Sequence, residues 1–359
     1  MKVKELSIRE KIGQMFIIGI DNSDGFKNTA ELIRNNRIGG VVLYRKNYKN
    51  YDELVKLVND IKNANFQNHV PIFISIDQEG GRVNRMPPEI ENLKSATKFA
   101  NSKDKEKVAL SAKIIAEMLK KTGITLNYAP VLDIRRFEEK HAIGDRCYGQ
   151  TKEKVEKYGI TAMKAMMEEG IIPVVKHFPG HGLTKKDSHF RIPRIKQKID
   201  ILEKEDMEPF LKSIENGTDA IMVGHLIIED VDKKYPASLS KKVIQKYLIE
   251  KYNYTGLIMT DDLKMMAIRF HYNMKKAVVK AIEAGNDIIM LGLPYWQVKR
   301  IMRYIIKQVK KGKISEERIN ESVEKILKIK EKYQLNDEEV EGFDKDEINK
   351  KIINLNNSL

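Results

Sequence analysis

The stretch TKEKVEKYGITAMKAMMEEGIIPVVKHF, residues 151–178, contains one complete unit of the predicted fold. Its first part, residues 151–170, is amphipathic and ends in Gly170, a residue suited to closing a helix. The second part, residues 171–178, is apolar almost throughout, which is typical of a strand buried on both faces of a parallel sheet. The stretch therefore predicts a helix followed by a strand of a helix-covered sheet.

The same alternation extends along most of the chain. Eight apolar runs are each followed by a longer amphipathic stretch, and they cover residues 13–20, 38–44, 71–77, 124–134, 171–178, 219–226, 256–262 and 286–292. Eight such units predict an α/β fold, a (β/α)₈ TIM-type barrel that forms a single catalytic domain over residues 1–335. Residues 336–359 are predicted to form a partly ordered C-terminal tail. A doubly wound open sheet is the alternative, but no G-x-G-x-x-G follows the first strand.

The composition limits the classes of partner. The 359 residues include 65 Lys and Arg against 51 Asp and Glu, but the excess of 14 is mostly interspersed with acidic residues, and only 7% of residues are aromatic. We therefore expect no nucleic-acid partner. No run is long enough to span a membrane, and the start lacks the apolar core of a secretion signal, so we expect a cytoplasmic protein without a membrane partner unless a signal was removed. Cys147 is the single cysteine, which excludes a disulfide framework.

Polar residues stand where the predicted strands end. In a parallel barrel these ends meet at one mouth, where active sites are built. The residues are Asp77, Asp133, Lys176 with His177, His225, and Asp261 with Asp262. The pattern predicts a catalytic or binding pocket at the mouth.

The segment KHFPGHGLTKKDSH, residues 176–189, has three possible explanations. His177, His181, Asp187 and His189 could bind zinc, but a proline and two glycines prevent the helix on which such histidine pairs usually stand. The histidines could instead only bond locally within a loop. The spacing of Asp187 and His189 favours acid–base chemistry, because a carboxylate beside an imidazole fixes its tautomer and raises its basicity. The glycines would let this loop close over a ligand.

These motifs resemble a known family. KHFPGHG followed by DSH, with IDQEGGRVNR (residues 76–85) before it and MTDDLKM (residues 259–265) after it, is similar to the bacterial β-N-acetylglucosaminidases (β-N-acetylhexosaminidases) of glycoside hydrolase family 3. NYAPVLDI, IGDRCYG and VGHLIIEDVDKKYPASLS resemble further blocks of that family in the same order. The resemblance extends from about residue 10 to about residue 330.

The resemblance implies an activity and a set of site residues. The activity is retaining, exo-acting hydrolysis of terminal β-linked N-acetylglucosamine, with no metal or other cofactor. Asp261 would be the nucleophile, and His189 paired with Asp187 would be the general acid and then the base. The positions that match sugar-binding residues are Asp77, Arg85, Arg146, Lys176 and His177.

Asp261 and Asp262 are neighbours, and only one can point into the mouth because successive strand residues face opposite sides. The family tolerates alanine at the second position, so the resemblance favours Asp261. Asp262 is expected to cap the next helix or to support the site.

Several functional alternatives stay open at this stage. The chain could be a β-N-acetylglucosaminide phosphorylase, because a histidine acid, unlike a carboxylate, does not repel phosphate. It could also be a non-catalytic sugar-binding barrel or a metal-dependent hydrolase. The expected substrates are cell-wall muropeptides, which would place the protein in peptidoglycan recycling, or chito-oligosaccharide fragments. We expect a small carbohydrate as the partner, and a monomer or weak dimer.

Overall fold

The structure is a computed structural model that describes residues 2–20, 26–137, 143–183 and 192–359. Within these residues the strands, numbered in chain order, are β1 (Phe16–Gly19), β2 (Gly40–Leu43), β3 (Phe73–Ile76), β4 (Leu126–Asn127), β5 (Ile172–Phe178), β6 (Arg194–Ile195), β7 (Ala220–Val223), β8 (Ile227–Ile228), β9 (Leu257–Thr260) and β10 (Ile289–Leu291).

The α-helices are α1 (Ile8–Gln14), α2 (Lys27–Asn36), α3 (Tyr51–Asn65), α4 (Ala96–Asn101), α5 (Lys105–Lys121), α6 (Lys152–Glu168), α7 (Ile199–Lys204), α8 (Glu208–Glu215), α9 (Met266–Arg269), α10 (Met274–Ala284), α11 (Tyr295–Lys310), α12 (Glu316–Lys332) and α13 (Lys345–Asn357). A π-helical segment covers Lys242–Lys251, and short 3₁₀ turns cover Val3–Glu5, Arg45–Asn47, Gly144–Arg146 and Ala237–Leu239.

Eight of the strands form one parallel sheet in the order β9-β7-β5-β4-β3-β2-β1-β10. The two edge strands meet at a parallel bridge between Met259 and Ile288, and the Thr260 amide donates to the Ile288 carbonyl over 3.0 Å. The sheet therefore closes into a barrel, in which each strand lies beside the next barrel strand of the chain. The predicted (β/α)₈ barrel is confirmed, and each of the eight apolar runs contains one of its strands. The closed seam excludes the open doubly wound sheet.

The unit at residues 151–178 forms as its sequence predicts. Thr151 caps α6, because its hydroxyl accepts from the Lys154 amide, and Gly170 follows the helix with a φ of +84° that favours glycine. The apolar face of α6 is buried against the barrel, and every residue of β5 is buried. Removing this face from water stabilises the layer, at about 25 cal/mol per Å² of apolar surface.

The base of the barrel is closed by the end of α12. The ammonium group of Lys330, which is 3% exposed, donates to Oε1 of Gln14 over 2.8 Å and to the carbonyls of Gly39 and Pro71 over 3.1 and 2.6 Å. Burial lowers the pKa of Lys330 to about 7. One side chain thus joins α12 to three segments that precede β1, β2 and β3.

The residues after α12 continue over the base and the outside of the barrel. Asp337 accepts hydrogen bonds from Asn65 and from the Ile72 amide, and Lys351 on α13 pairs with Glu117 on α5 at 2.9 Å. The division of the chain at residue 335 stays a prediction. No helix in the described part of the chain has the length and apolar character needed to cross a bilayer.

Candidate active site

A cavity of about 360 Å³ opens at the carboxyl ends of the barrel strands. Its lining residues are Tyr44, Asp77, Arg82, Val83, Arg85, Ile143, Arg146, Lys176, His177, His181, Met222, Asp261, Asp262, Met265 and Met290. The structure thus brings together Asp261 and all five residues predicted to hold a sugar. Asp187 and His189 belong to residues 184–191, which lie outside the described residues together with most of the loop predicted to close over a ligand.

A buried carboxylate connects the cations of this cavity. Glu79, whose side chain is 4% exposed, accepts two hydrogen bonds from Arg146, over 2.8 Å from Nε and 2.7 Å from a terminal nitrogen. The same carboxylate lies 2.6 Å from Nζ of Lys176, which also bonds to Asp77 over 2.7 Å. Residues from the β3 loop, the β4 loop and β5 therefore form one ion-pair network.

The network determines the charge of its members. Burial alone would raise the pKa of Glu79, but the positive charges of Lys176 and Arg146 lower it to about 2. Glu79 raises the pKa of Arg146 against the opposing effect of burial. Glu79 is therefore ionised at neutral pH, and it pairs with both Arg146 and Lys176 at the cavity wall.

Glu79 was missed as a functional residue in the sequence analysis. The sequence does contain an indication of its role, because Glu79 lies in the motif IDQEGGRVNR, two positions after Asp77. Gly80 and Gly81, which follow it, have φ values of +82° and +56°, which glycine adopts readily, so the chain can turn sharply directly after Glu79.

His177 is oriented by a second buried carboxylate. Nδ1 of His177 lies 2.7 Å from Oδ2 of Asp133, which is fully buried and also accepts from the His181 amide over 2.6 Å. Although burial would raise the pKa of Asp133, the adjacent His177 ring and the hydrogen bonds from His177 and from the His181 amide lower it, so the carboxylate is ionised. It can then only accept, which places the proton on Nδ1 and leaves Nε2 for a ligand. The sequence predicted Asp133 at the end of a strand, but it did not predict the hydrogen bond between Asp133 and His177.

Asp261 and Asp262 both line the cavity, so the expectation that only one would face the mouth is wrong; both follow Thr260, the last residue of β9, and strand alternation does not apply to them. Their surroundings nevertheless differ. Burial would raise the pKa of Asp261, but nearby His225, His177 and Lys176 lower it. The pKa of Asp262 is raised, chiefly by burial. Oδ1 of Asp262 accepts from the amides of Lys264 and Gly292, both over 2.9 Å. Asp262 thus joins the loops after β9 and β10, whereas Asp261 is an ionised carboxylate beside two histidines and a lysine.

Two neighbours hold the backbone around this aspartate pair. Nε2 of His225 lies 3.1 Å from the Asp262 carbonyl, which can only accept, so Nε2 carries the proton and the Ser238 hydroxyl donates to Nδ1 over 2.7 Å. Burial lowers the pKa of His225, which favours this neutral form. At Gly292, a Cβ would lie 2.4 Å from Oδ2 of Asp262, so only glycine allows this approach.

Arg85 presents a free guanidinium to the cavity. Its backbone is held because its amide donates to Gln78 over 2.8 Å and its carbonyl accepts from Tyr48 over 2.7 Å. Its side chain forms no hydrogen bond or ion pair with the described residues. A ligand hydroxyl or carbonyl could therefore bind it without breaking an internal contact.

The candidate zinc ligands of the histidine segment are His177, His181, Asp187 and His189. The described ranges contain no group of three or more His, Cys, Asp or Glu side chains that could hold a metal ion. Two of the four candidate zinc ligands, Asp187 and His189, lie outside those ranges. The expected independence from metal therefore stays a prediction.

The barrel and its polar mouth have close counterparts among known proteins. Residues 7–329 match the Glycosyl hydrolase family 3 N terminal domain. The chain therefore belongs to glycosyl hydrolase family 3, and the predicted family membership is confirmed.

Relatives within this family are β-hexosaminidases. The chain is 31% identical to the β-hexosaminidase of Methylobacillus flagellatus over 72% of this chain and 74% of the relative. It is 29% identical to β-hexosaminidase A of Pseudoalteromonas piscicida over 84% of this chain, but it spans only 55% of that relative. The structure of a family 3 β-N-acetylglucosaminidase from Paenibacillus sp. str. FPU-7 superposes with a TM-score of 0.91 and 31% identity, over 98% of this chain and 68% of that one.

The Glu79 network predicts a pH-dependent stability. Glu79→Gln should lower the free energy of unfolding at neutral pH by on the order of 3 kcal/mol, because it leaves Lys176 and Arg146 buried without their shared anion. The folded pKa of about 2 lies below the ordinary value of about 4.3, so the stabilisation exists above that value and is lost as the pH falls toward 2. Urea unfolding between about pH 6 and pH 3 should show the gap to wild type shrinking.

The matched control is Glu324→Gln, which removes a carboxylate that is 60% exposed on α12. It should change the free energy of unfolding by no more than about 0.5 kcal/mol at any pH. A constant gap between wild type and Glu79→Gln across this pH range would contradict an ionised Glu79.

Proposed function

We propose that the chain is a retaining, exo-acting β-N-acetylhexosaminidase that removes terminal β-linked N-acetylglucosamine through a covalent glycosyl-Asp261 intermediate. The observation that carries the proposal is an ionised Asp261 facing a cavity that also contains Asp77, Arg85, Arg146, Lys176 and His177. The cavity volume is near the lower end of the range for small-molecule sites, about 300–1,000 Å³, which suits one sugar unit. The names of the relatives favour the same substrate class.

Asp261 has the properties of a glycosidase nucleophile. The transition state resembles an oxocarbenium ion, so a carboxylate next to the anomeric carbon stabilises the developing positive charge and then captures it covalently. His225, His177, the Asp262 amide and Lys176 together lower the pKa of Asp261 against the effect of burial, which favours its ionised form before attack. When water releases the sugar, the carboxylate is regenerated in the same environment.

The polar lining would hold the sugar over Asp261. Asp77 can accept from a hydroxyl, while Arg85, Arg146 and Lys176 can donate to hydroxyl or acetamide oxygens. His177 would accept from a sugar hydroxyl through Nε2, whose direction is set by the hydrogen bond that Nδ1 donates to Asp133. Binding groups on several strands restrict the sugar to one orientation, which lowers the entropic part of the barrier.

The general acid and base would be His189 oriented by Asp187. This assignment rests on the motif DSH and its family resemblance, because both residues lie outside the described ranges. An imidazole that titrates near neutral pH can protonate the leaving oxygen and then deprotonate the attacking water. Muropeptides or chito-oligosaccharides would be the natural substrates, and recycling of wall fragments in the cytoplasm stays a prediction from the sequence.

Product analysis tests the proposed reaction against its alternatives. With N-acetylglucosaminyl-N-acetylmuramic acid and with chitobiose, we expect free N-acetylglucosamine as the product, both with and without phosphate. Activity should survive treatment with EDTA, since no step uses a metal. N-acetylglucosamine 1-phosphate as the main product would identify a phosphorylase, and activity lost to EDTA and restored by zinc would identify a metal-dependent enzyme. Binding without turnover would identify a non-catalytic barrel.

Asp261 should be indispensable for turnover. Asp261→Asn is expected to lower kcat by at least about 10³-fold on an activated nitrophenyl glycoside, because no covalent intermediate can form. Asp262→Asn is the comparison variant and should retain more activity, since Asp262 holds backbone amides. Circular dichroism would establish that both variants are folded. A folded Asp261→Asn variant with a near-wild-type rate would move the nucleophile to another residue.

His189 should matter most when the leaving group is poor. His189→Ala should lower kcat/KM on chitobiose by about 10²–10⁴-fold but far less on an aryl glycoside with an acidic phenol, whose departure needs little protonation. Asp187→Ala should show the same pattern more weakly, because it only orients the imidazole. His69→Ala, which removes an exposed histidine, is the control and should change neither rate. Equal losses on both substrates would mean that His189 binds the sugar rather than acting as the acid.

A further inference from the structure

Helix α11 carries a line of five exposed residues, one tryptophan and four cations, on the outside of the barrel. Trp296, Arg300, Arg303, Lys307 and Lys310 are all exposed, and their spacing of four and three residues places them on one face of the helix. The line is about 21 Å long at the rise of an α-helix. We call these five residues the α11 stripe. The opposite face of the helix, which includes Val298, Ile301 and Ile305, is buried in the core.

The α11 stripe differs from the other charged surfaces of the chain. Residues 295–313 contain seven Lys and Arg and no Asp or Glu, whereas α12 alternates both signs. Within the described residues, no ion pair is formed by Arg300, Arg303, Lys307 or Lys310. Within the part of the chain that the structure describes, their charge is therefore not neutralised, unlike that of Lys56, Lys198 and Lys328, which are paired with acidic residues.

The flanking helices extend the cationic surface instead of compensating it. Helix α11 packs against α1, α2 and α10, and each of these contains one acidic residue. Glu10 on α1 is paired with Arg37 over 3.7 Å. Glu31 on α2 is paired with Lys299 over 2.7 Å, and Glu283 on α10 is paired with Lys280 over 2.8 Å. The exposed residues Arg34 and Lys276 add further positive charge on either side.

We propose that the α11 stripe binds the surface of an anionic lipid bilayer. A barrel is convex, so it touches a planar surface along one outer helix, and the cations of α11 are arranged along such a line. Each Lys or Arg near an anionic leaflet adds to the attraction, and tryptophan favours the membrane interface. We expected no membrane partner because no segment can span a bilayer, but adhesion of a charged face requires no spanning segment.

The geometry leaves the candidate active site accessible in the bound state. Trp296 lies four residues after Gly292, whose amide bonds to Asp262 at the cavity, so α11 begins at the mouth and runs away from it. With the α11 stripe flat on the bilayer, the mouth opens sideways into water.

Trp296 is the only tryptophan of the chain, so its fluorescence reports on the α11 stripe alone. Its side chain is 55% exposed and lies beside the Arg300 guanidinium. With vesicles of phosphatidylcholine and phosphatidylglycerol, its emission should shift to shorter wavelength as the indole leaves water. Vesicles of phosphatidylcholine alone should cause no shift. An unchanged spectrum with anionic vesicles that nevertheless sediment the protein would place the contact on another face and overturn the proposal.

Vesicle sedimentation with matched variants provides the second test. The triple variant R300E/R303E/K307E should lower binding to anionic vesicles by at least about tenfold, and high salt should do the same to wild type. The control K56E/K198E/K328E makes the same change in net charge at exposed lysines elsewhere and should bind within about twofold of wild type. Thermal unfolding would establish that both variants are folded, without depending on enzymatic activity.

Three results would overturn the lipid proposal. Wild type could sediment equally with neutral vesicles, or the control variant could lose as much binding as the stripe variant, which would mean that net charge alone is responsible. Wild type could also fail to bind anionic vesicles but retain an oligonucleotide that R300E/R303E/K307E releases. That result would make nucleic acid the partner of the α11 stripe.

Discussion

The ion pair that Glu79 forms with both Lys176 and Arg146 is the interaction on which the mouth of the barrel depends. It joins the loop after β3, the loop after β4 and strand β5, and two of its members, Arg146 and Lys176, line the cavity. Two cations buried this close together would repel each other and remain poorly solvated without the carboxylate. With Glu79 present, both cations are paired and are held at the wall of the cavity. Their rigidity in turn defines the wall that faces Asp261.

Two further buried groups, Asp133 and His225, support the residues that line the cavity. Asp133 and His225 do not act on a ligand directly; one orients His177 and the other holds the backbone after Asp261. Each is satisfied by hydrogen bonds inside the protein, so each can be buried at little cost. The groups left for a ligand are therefore few and oriented, as a site that distinguishes one sugar from another requires.

The two ends and the outer surface of the barrel differ in what their residues do. The carboxyl ends of the strands carry the cavity, and the opposite end is closed by Lys330, whose three hydrogen bonds hold the last long helix under the sheet. Each outer helix buries one apolar face against the barrel. Because the opposite face is exposed to solvent, its charge does not affect this packing. The α11 stripe lies on such a face, and its charge is independent of the packing that supports the active site.

The sequence by itself determined the barrel, the ring of polar strand ends and the family, because apolar periodicity and motif order are properties of neighbouring residues. It did not determine which polar residues pair. Lys176 and Asp77 are 99 positions apart, and Lys330 and Gln14 are 316 positions apart, so their contacts depend on how the closed sheet brings strand ends together. The roles of Glu79 and Asp133 were missed for this reason. Only the tertiary structure decided them, because burial and partner distance, rather than residue type, set the charge of an ionisable group.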